Sequence, residues 1–348
     1  MNSLVDSRPP TIKDVARVCG VSVATVSYVI NGTRVLKPAT RARVLKAMEE
    51  MNYHPNAVAR SLSSKRVHTI GVHCGVLQAA EFITNSYAAG ILSGVLDCAS
   101  RAEFDVTLFT ARWQSVRQSA PLLRDGRTDG ILVVAPPASS DMLEGLAASG
   151  RPLVAISAPQ QPGIPVVDVD NYAGAKMAAC HLIELGHRRI AAILGDADLA
   201  SSVARHDGFC DALKEAGLPL KPNWIVSSRY DGSLAFEQTR TLLHGREPPT
   251  AVCAGNDTIA LAVMDAARAV GVRVPQELSV VGFDDSPFAT IVRPSLTTIH
   301  QPLHAIGACA TTLLIARVRK QDSPDDQRVH LLAPELVVRD STSRASRS

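Results

Sequence analysis

Five residues capable of ligand chemistry stand where apolar runs of this chain end. Arg205 follows GDADLASSVA, Tyr230 follows WIVSSR, Asn256 with Asp257 follows the run 251–253, and Asp284 closes LSVVGF. A guanidinium offers a planar fork of donors, and a carboxylate accepts from paired hydroxyls. A tyrosine ring can stack on the face of another ring. Together these groups suit a polyhydroxylated small molecule. Each also has a plainer role open to it: Asn256 and Asp284 as helix caps or turn formers, Arg205 as a surface helix residue.

Catalysis finds no support. No G-x-G-x-x-G follows a strand, and no G-x-x-x-x-G-K-[ST] phosphate loop or G-x-S-x-G elbow is present. The ten histidines form no H-E-x-x-H or other metal spacing. Seven scattered cysteines include no C-x-x-C pair, which fits free thiols in a reducing compartment. No catalytic residue, metal or cofactor is expected. The amino terminus shows no signal peptide and the chain no transmembrane run, so the expected location is the cytoplasm, with no membrane partner.

The net charge of +3 hides an asymmetry. Residues 1–66 hold eleven Lys/Arg against four Asp/Glu, a net +7; residues 67–348 hold 25 against 29, a net −4. A basic head on a mildly acidic body points the head at a polyanion.

Three short helices fill that head. Thr11 and Asp14 form a capping-box pair, and Ile12, Val15, Ala16 and Cys19 make the apolar face that follows. Gly20 ends this helix, and Ser22 caps a second that runs to about Ile30 and stops at Asn31-Gly32. Pro38 opens a third, with Val44, Leu45, Met48 and Met51 as its expected buried stripe. A turn of about three residues between the first two is the helix-turn-helix spacing, whose second helix enters a major groove. Val21, Val26 and Ile30 would face the core. Val23 and Ala24 offer methyl contact to thymine; Thr25, Ser27 and Tyr28 offer hydroxyls to phosphate or base. Arg17, Arg34, Lys37 and Arg41 are candidate phosphate clamps. Three-helix cores also occur in protein-docking modules, and steep salt dependence of duplex binding would separate the two.

From residue 69 short apolar runs alternate with helical stretches. Strands are expected at 69–74, 104–109, 130–134, 152–156, 190–194, 251–253 and 278–283, and helices near 86–101, 114–125, 139–148, 172–186, 203–216, 233–243, 257–270 and 303–318. Repeated strand–helix units imply parallel sheets covered on both faces. They are too many for one sheet, and the rhythm restarts after PVVDVDN, 165–171. Two similar Rossmann-like lobes would leave a cleft beyond the carboxyl ends of their strands.

TIKDVARVCGVSVATVSYVIN resembles the head of the lactose repressor/galactose repressor family of bacterial transcription regulators, and NYHPNAVARSL, 52–62, resembles that family's hinge. The resemblance covers the body as well and implies the fold of periplasmic sugar-binding proteins, with three crossings between lobes. It implies a short hinge helix capped by Asn56, carrying Ala57, Val58, Ala59 and Leu62. That helix would order only when two subunits pair at an operator's minor groove, with Leu62 wedged between central base pairs. Arg205 and Asp284 match the family's effector-binding arginine and aspartate, Asn256 its Asn-Asp motif, and Tyr230 its aromatic wall. Asp170 and Asn171 match the pair at the lobe junction. The purine-responding member has an arginine where this chain has Leu199, which argues against a purine. The loop GVLQAAEFITN, 75–85, departs from the family pattern, and Phe82 is its candidate ligand contact.

The expected organisation is therefore a small all-alpha helix-turn-helix headpiece (1–54), a hinge helix and linker (55–68), and an α/β effector-binding and dimerisation body (69–340). The body divides into a first lobe of about 69–168 plus 300–329 and a second of about 171–298 plus 330–340, followed by a disordered tail at 341–348. The expected function is a repressor of the helix-turn-helix type, acting as a homodimer on double-stranded DNA with a pseudo-palindromic operator. Its affinity would be set by a small carbohydrate-like effector. No leucine heptad repeat ends the chain, which favours a dimer over a tetramer. The rivals are a ligand sensor whose head docks to a protein, and a transport-type sugar-binding protein.

Overall fold

The computed structural model describes residues 8–31, 34–54, 66–75, 84–321 and 328–346. Two compact units divide at Val67/His68. The expected hinge residues Asn56, Ala57, Ala59 and Leu62, and the loop residue Phe82, lie outside the described residues.

The amino-terminal unit contains α1 (Ile12–Cys19), α2 (Val23–Asn31) and α3 (Pro38–Glu50). The Asp14 carboxylate reaches back to the Thr11 amide (3.0 Å) and hydroxyl (2.6 Å), tying down the start of α1. Those hydrogen bonds hold the Asp14 pKa below its usual value. Gly20 takes the left-handed conformation (φ 58°) that a tight exit from α1 requires. Ser22 Oγ then accepts from the Thr25 amide at 3.1 Å and starts α2. Val15, Ala16, Cys19, Val26, Val29, Val44 and Ala47 form the core, with Val21, Ile30 and Met48 packed on it. The expected stripe of α3 needs one correction. Leu45 is 47% exposed, and Ala47 takes the inward place, because the helical period puts 44, 47 and 48 on one side and 45 round from it.

The second unit is built on two six-stranded sheets. The first has strand order β11-β5-β4-β3-β1-β2, comprising β1 (Thr69–Cys74), β2 (Asp105–Phe109), β3 (Gly130–Val134), β4 (Leu153–Ile156), β5 (Val166–Val169) and β11 (Val329–Leu332). The other has the order β12-β10-β9-β8-β6-β7, comprising β6 (Ile190–Leu194), β7 (Ile225–Ser227), β8 (Ala251–Ala254), β9 (Ser279–Asp284), β10 (Thr297–His300) and β12 (Glu335–Val337). Every pairing is parallel except β10 with β12. The central strands β3, β4, β8 and β9 are buried at every position, as sheets covered by helices on both faces demand.

On the first sheet lie α4 (Ser86–Arg101), α5 (Val116–Leu123), α6 (Met142–Ala147) and α12 (Leu303–Arg319). Helices α4 and α12 touch through glycine: a Cβ on Gly94 would stand 1.9 Å from the His304 carbonyl oxygen. The second sheet carries α7 (Asn171–Glu184), α8 (Ala200–Glu215), α9 (Gly232–Leu243), α10 (Asp257–Ala269) and the short α11 (Phe288–Ile291).

The chain passes between the sheets after β5, after β10 and between β11 and β12. The lobe boundary expected at 329/330 is therefore wrong: β11 pairs with β5 as far as Leu332 opposite Val169, so residues 330–332 belong to the first lobe. The expected disordered tail is also corrected over its described part. Ser341 is fully buried, donates to the Val280 carbonyl (2.6 Å) and accepts from the Thr297 amide (2.8 Å). His187 Nε2 lies 3.0 Å from the Ser343 carbonyl, and the Ala345 amide donates to Leu185. Among the described residues no helix is long and apolar enough to cross a membrane.

Candidate functional site

A cavity of about 150 Å³ opens between the two sheets at the carboxyl ends of their strands. Arg205, Tyr230, Asn256 and Asp284 all line it. The first lobe contributes Cys74, Asn85, Tyr87 and Ala135; the second adds Leu199, Ser201 and Thr258.

Arg205, in α8, is 5% exposed, so its plainer role as a surface residue does not apply. Its Nε donates to Asn171 Oδ1 (2.8 Å), Nη1 donates to the Gly255 carbonyl, and its guanidinium carbon sits 3.6 Å from the centre of the Phe283 ring. Two of its three nitrogens, Nε and Nη1, are thus engaged by protein groups.

Asp284 is 7% exposed and ends β9 with φ 122°; Asp285 follows with φ 56°. Two successive positive φ values are strained for residues with side chains, and they part the two carboxylates. Asp284 lines the cavity and accepts from Gln301 Nε2 at 2.6 Å. Asp285 accepts from Arg339 Nη2 at 2.6 Å and lies 3.1 Å from His300 Nδ1. Burial pushes the Asp284 pKa up to about 7, against the pull of Arg205 and with a further push from Asp257.

Asn256 takes the plainer role of a cap and also lines the cavity. Its Oδ1 accepts from the Ile259 amide at 2.8 Å and caps α10, which leaves Nδ2 as a donor for the cavity. Tyr230 sits at φ 61°, and its ring fills the space where a Cβ on Gly195 would be, 2.0 Å from Cζ. Glycine at 195 is what lets the Tyr230 ring approach.

Behind Arg205 a polar chain runs into the first lobe. Tyr87 and Ser157 hydroxyls are 2.6 Å apart, Ser157 donates to Asp168 Oδ1 (2.7 Å), and Asn171 Nδ2 donates to Asp168 Oδ2 (3.0 Å). Burial raises the Asp168 pKa to about 6, with the Ser157 hydrogen bond and Arg205 opposing. Asp168 leaves a signal in the sequence, a charge inside the apolar run VVDV. Asn85, Ser201 and Thr258 leave only the pattern of small polar residues where helices follow strands; Asn85 indeed caps α4, accepting from the Ala88 amide at 3.1 Å. Tyr87 leaves none. Among the described residues no group of His, Cys, Asp and Glu could hold a metal ion.

In the amino-terminal unit Ser22, Val23 and Ala24 are exposed at the start of α2, and Ser27 and Tyr28 are half-buried. Arg34 and Arg41 are exposed, with the Arg34 guanidinium carbon 5.8 Å from the Tyr28 ring centre. Arg17 is exposed and pairs with Asp14 at 2.9 Å. The hydroxyls of Ser22 and Thr25 lie 2.9 Å apart, so both help to build the turn.

Residues 11–56 match the model of bacterial regulatory proteins of the lacI family, and 179–342 match a periplasmic binding protein-like domain. Over 335 residues the chain is 36% identical to the HTH-type transcriptional repressor PurR of Photobacterium profundum, covering 95% of this chain and 98% of that one. This chain belongs to the LacI family. It is a DNA-binding, ligand-controlled transcriptional regulator rather than an enzyme. PurR of Vibrio vulnificus is 35% identical over 339 residues, 96% of this chain and 99% of its own. Among solved structures, a lac repressor dimer bound to operator and the anti-inducer ONPF superposes with a TM-score of 0.85 at 28% identity, covering 97% and 100% of the two chains. A complex of the regulator CelR with cellobiose gives 0.75 at 31%, covering 95% and 99%. In this LacI-family member the capped α1–α2 pair is the helix-turn-helix and the two-sheet unit is the ligand-binding body.

Proposed function

We propose that this regulator is a homodimeric repressor whose effector is an uncharged, polyhydroxylated molecule of carbohydrate type bound between the sheets. The observation that carries the reading is the pairing of a pinned arginine with a buried aspartate in one cavity at the strand ends. Arg205 Nη2 and Asn256 Nδ2 donate to ligand oxygens, Asp284 accepts from hydroxyls, and Tyr230 covers a ring face. Phe82 is the proposed contact from the loop at 75–85. Charge supports a neutral ligand. Arg205 is the one basic residue among the described lining residues, two buried carboxylates lie within its reach, and segment 76–83 holds Glu81 but no Lys, Arg or His. A purine is the rival suggested by the PurR relatives. Leu199, buried in the cavity wall, offers it no hydrogen bond.

The proposed DNA contacts are Thr11, Arg17, Ser22, Arg34 and the α2 residues Val23, Ala24, Thr25, Ser27 and Tyr28, with hinge residues Asn56, Ala57, Ala59 and Leu62 in the minor groove. Two copies would face a pseudo-palindromic operator in the cytoplasm. Phe288 and Ile291, 53% and 68% exposed, give an apolar patch that a second copy would cover. Ligand binding changes the spacing of the paired hinges and releases DNA. A thermal-shift screen of sugars, sugar phosphates, polyols and purines, followed by operator titration with each hit, tests this. The expected result is a neutral polyol hit that weakens operator binding; a hit confined to purines or phosphates would replace the carbohydrate assignment.

A further inference from the structure

The two lobes also touch across the mouth of the cleft, away from the three crossovers. Ala138 and Ser139 lie on the connection between β3 and α6 in the first lobe; Asp198 lies on the connection between β6 and α8 in the second. The Ala138 amide donates to the Asp198 carbonyl oxygen (2.7 Å), the Ser139 amide to Asp198 Oδ1 (2.8 Å), and the Ser139 hydroxyl to Asp198 Oδ2 (2.5 Å). Asp196 Oδ1 accepts from the Asp198 amide at 3.0 Å and fixes the second-lobe loop.

We propose that Ser139 and Asp198 form a latch that holds the ligand-binding cleft closed. Both stand next to the cavity walls. Asp198 immediately precedes Leu199, and Ser139 follows the turn that begins at Ala135, whose φ of 47° bends the chain over the cavity. A molecule filling the cavity presses on Leu199 and Ala135 in the arrangement that brings the latch partners together, so ligand and latch favour the same closed state. Ser139 is exposed and Asp198 half-buried, so water competes for all three bonds. That makes the latch weak enough for the lobes to open without ligand, and a weak bias is what a small effector can tip. Asp198 uses both carboxylate oxygens, for Ser139, and its carbonyl, for Ala138, so three hydrogen bonds from two neighbouring residues converge on it.

The consequence for regulation rests on the ligand-controlled reading above, but the latch itself can be tested in the full chain without ligand or DNA. The readout is hydrogen exchange at the Ala138 amide, whose acceptor is the Asp198 backbone and is untouched by side-chain substitution. Ser139→Ala and Asp198→Asn should each speed Ala138 exchange by roughly tenfold, since the first removes the hydroxyl bond and the second takes the charge from both side-chain bonds and replaces one acceptor by a donor. Exchange in the strands β3 and β6 should stay as in the wild type. Unchanged Ala138 protection in both variants, or no Ala138 protection in the wild type, would overturn the latch. Slowed exchange would do so as well. Failure of operator release by ligand would instead strike the ligand-controlled reading and leave these exchange rates as they are.

Discussion

At the residue scale, Arg205 and Asp284 are the two central ligand contacts proposed above. The arginine is immobilised by Asn171, Gly255 and the Phe283 ring before any ligand arrives, so little of its side-chain entropy remains to be lost on binding. The aspartate is held at a cost. Its pKa of about 7 means that the folded state binds the Asp284 proton more tightly than the unfolded chain does. This group's contribution to stability is therefore greatest at acid pH, falls as pH rises from the ordinary aspartate value of 3.8 towards about 7, and is flat above that. Hydroxyl donors prefer the ionised carboxylate, so the ligand-binding trend runs the other way. Calorimetric titrations on either side of pH 7 should show tighter binding on the alkaline side. Asp284→Ala should abolish both ligand binding and its pH dependence while operator binding persists; unchanged ligand affinity in that variant would remove Asp284 from the site.

Helices and strands differ in how plainly the sequence announces them. The long, strongly patterned elements are legible because burial on both faces forces continuous apolar runs, as in GILVV and LSVVGF. Strands β7, β10, β11 and β12 are three or four residues long and carry polar or charged residues, so no run marks them. Strand β5 is hidden by Asp168, the residue that functions as the junction of the polar chain. The cavity's second-lobe half is readable because Arg205, Tyr230, Asn256 and Asp284 sit just beyond such runs. Its first-lobe half is not, since Tyr87 sits in the first turn of α4 with nothing in its type to show which way it faces. The tail STSRAS reads as polar, yet its hydroxyls satisfy backbone groups at and before the amino ends of β9 and β10. At this scale the contact of α4 with α12 is the sharpest test of packing. Gly94→Ala puts a methyl against a backbone carbonyl that cannot swing away, and should destabilise the body by about 1–3 kcal/mol in chemical unfolding. A neutral result would mean that the two helices can separate freely.

In the whole molecule, the proposed route by which a basic head and a two-lobed body exchange free energy is the hinge segment 55–68. The proposed hinge helix is too short to be stable alone, so its order must be offset by pairing and by burial against DNA. Leu62→Ala should weaken operator binding far more than binding to random duplex, because only the bent operator accepts the wedge. Competition titrations measure both, and equal losses would remove Leu62 from that role. The central claim is the coupling between cleft and operator. Its most direct measure is the anisotropy of labelled operator DNA titrated with the full chain, with and without saturating effector, in wild type and Asp284→Ala. Effector should weaken wild-type binding by roughly 5–150-fold and leave the variant unmoved. Identical operator affinity with and without a ligand shown to fill the wild-type cavity would contradict that coupling.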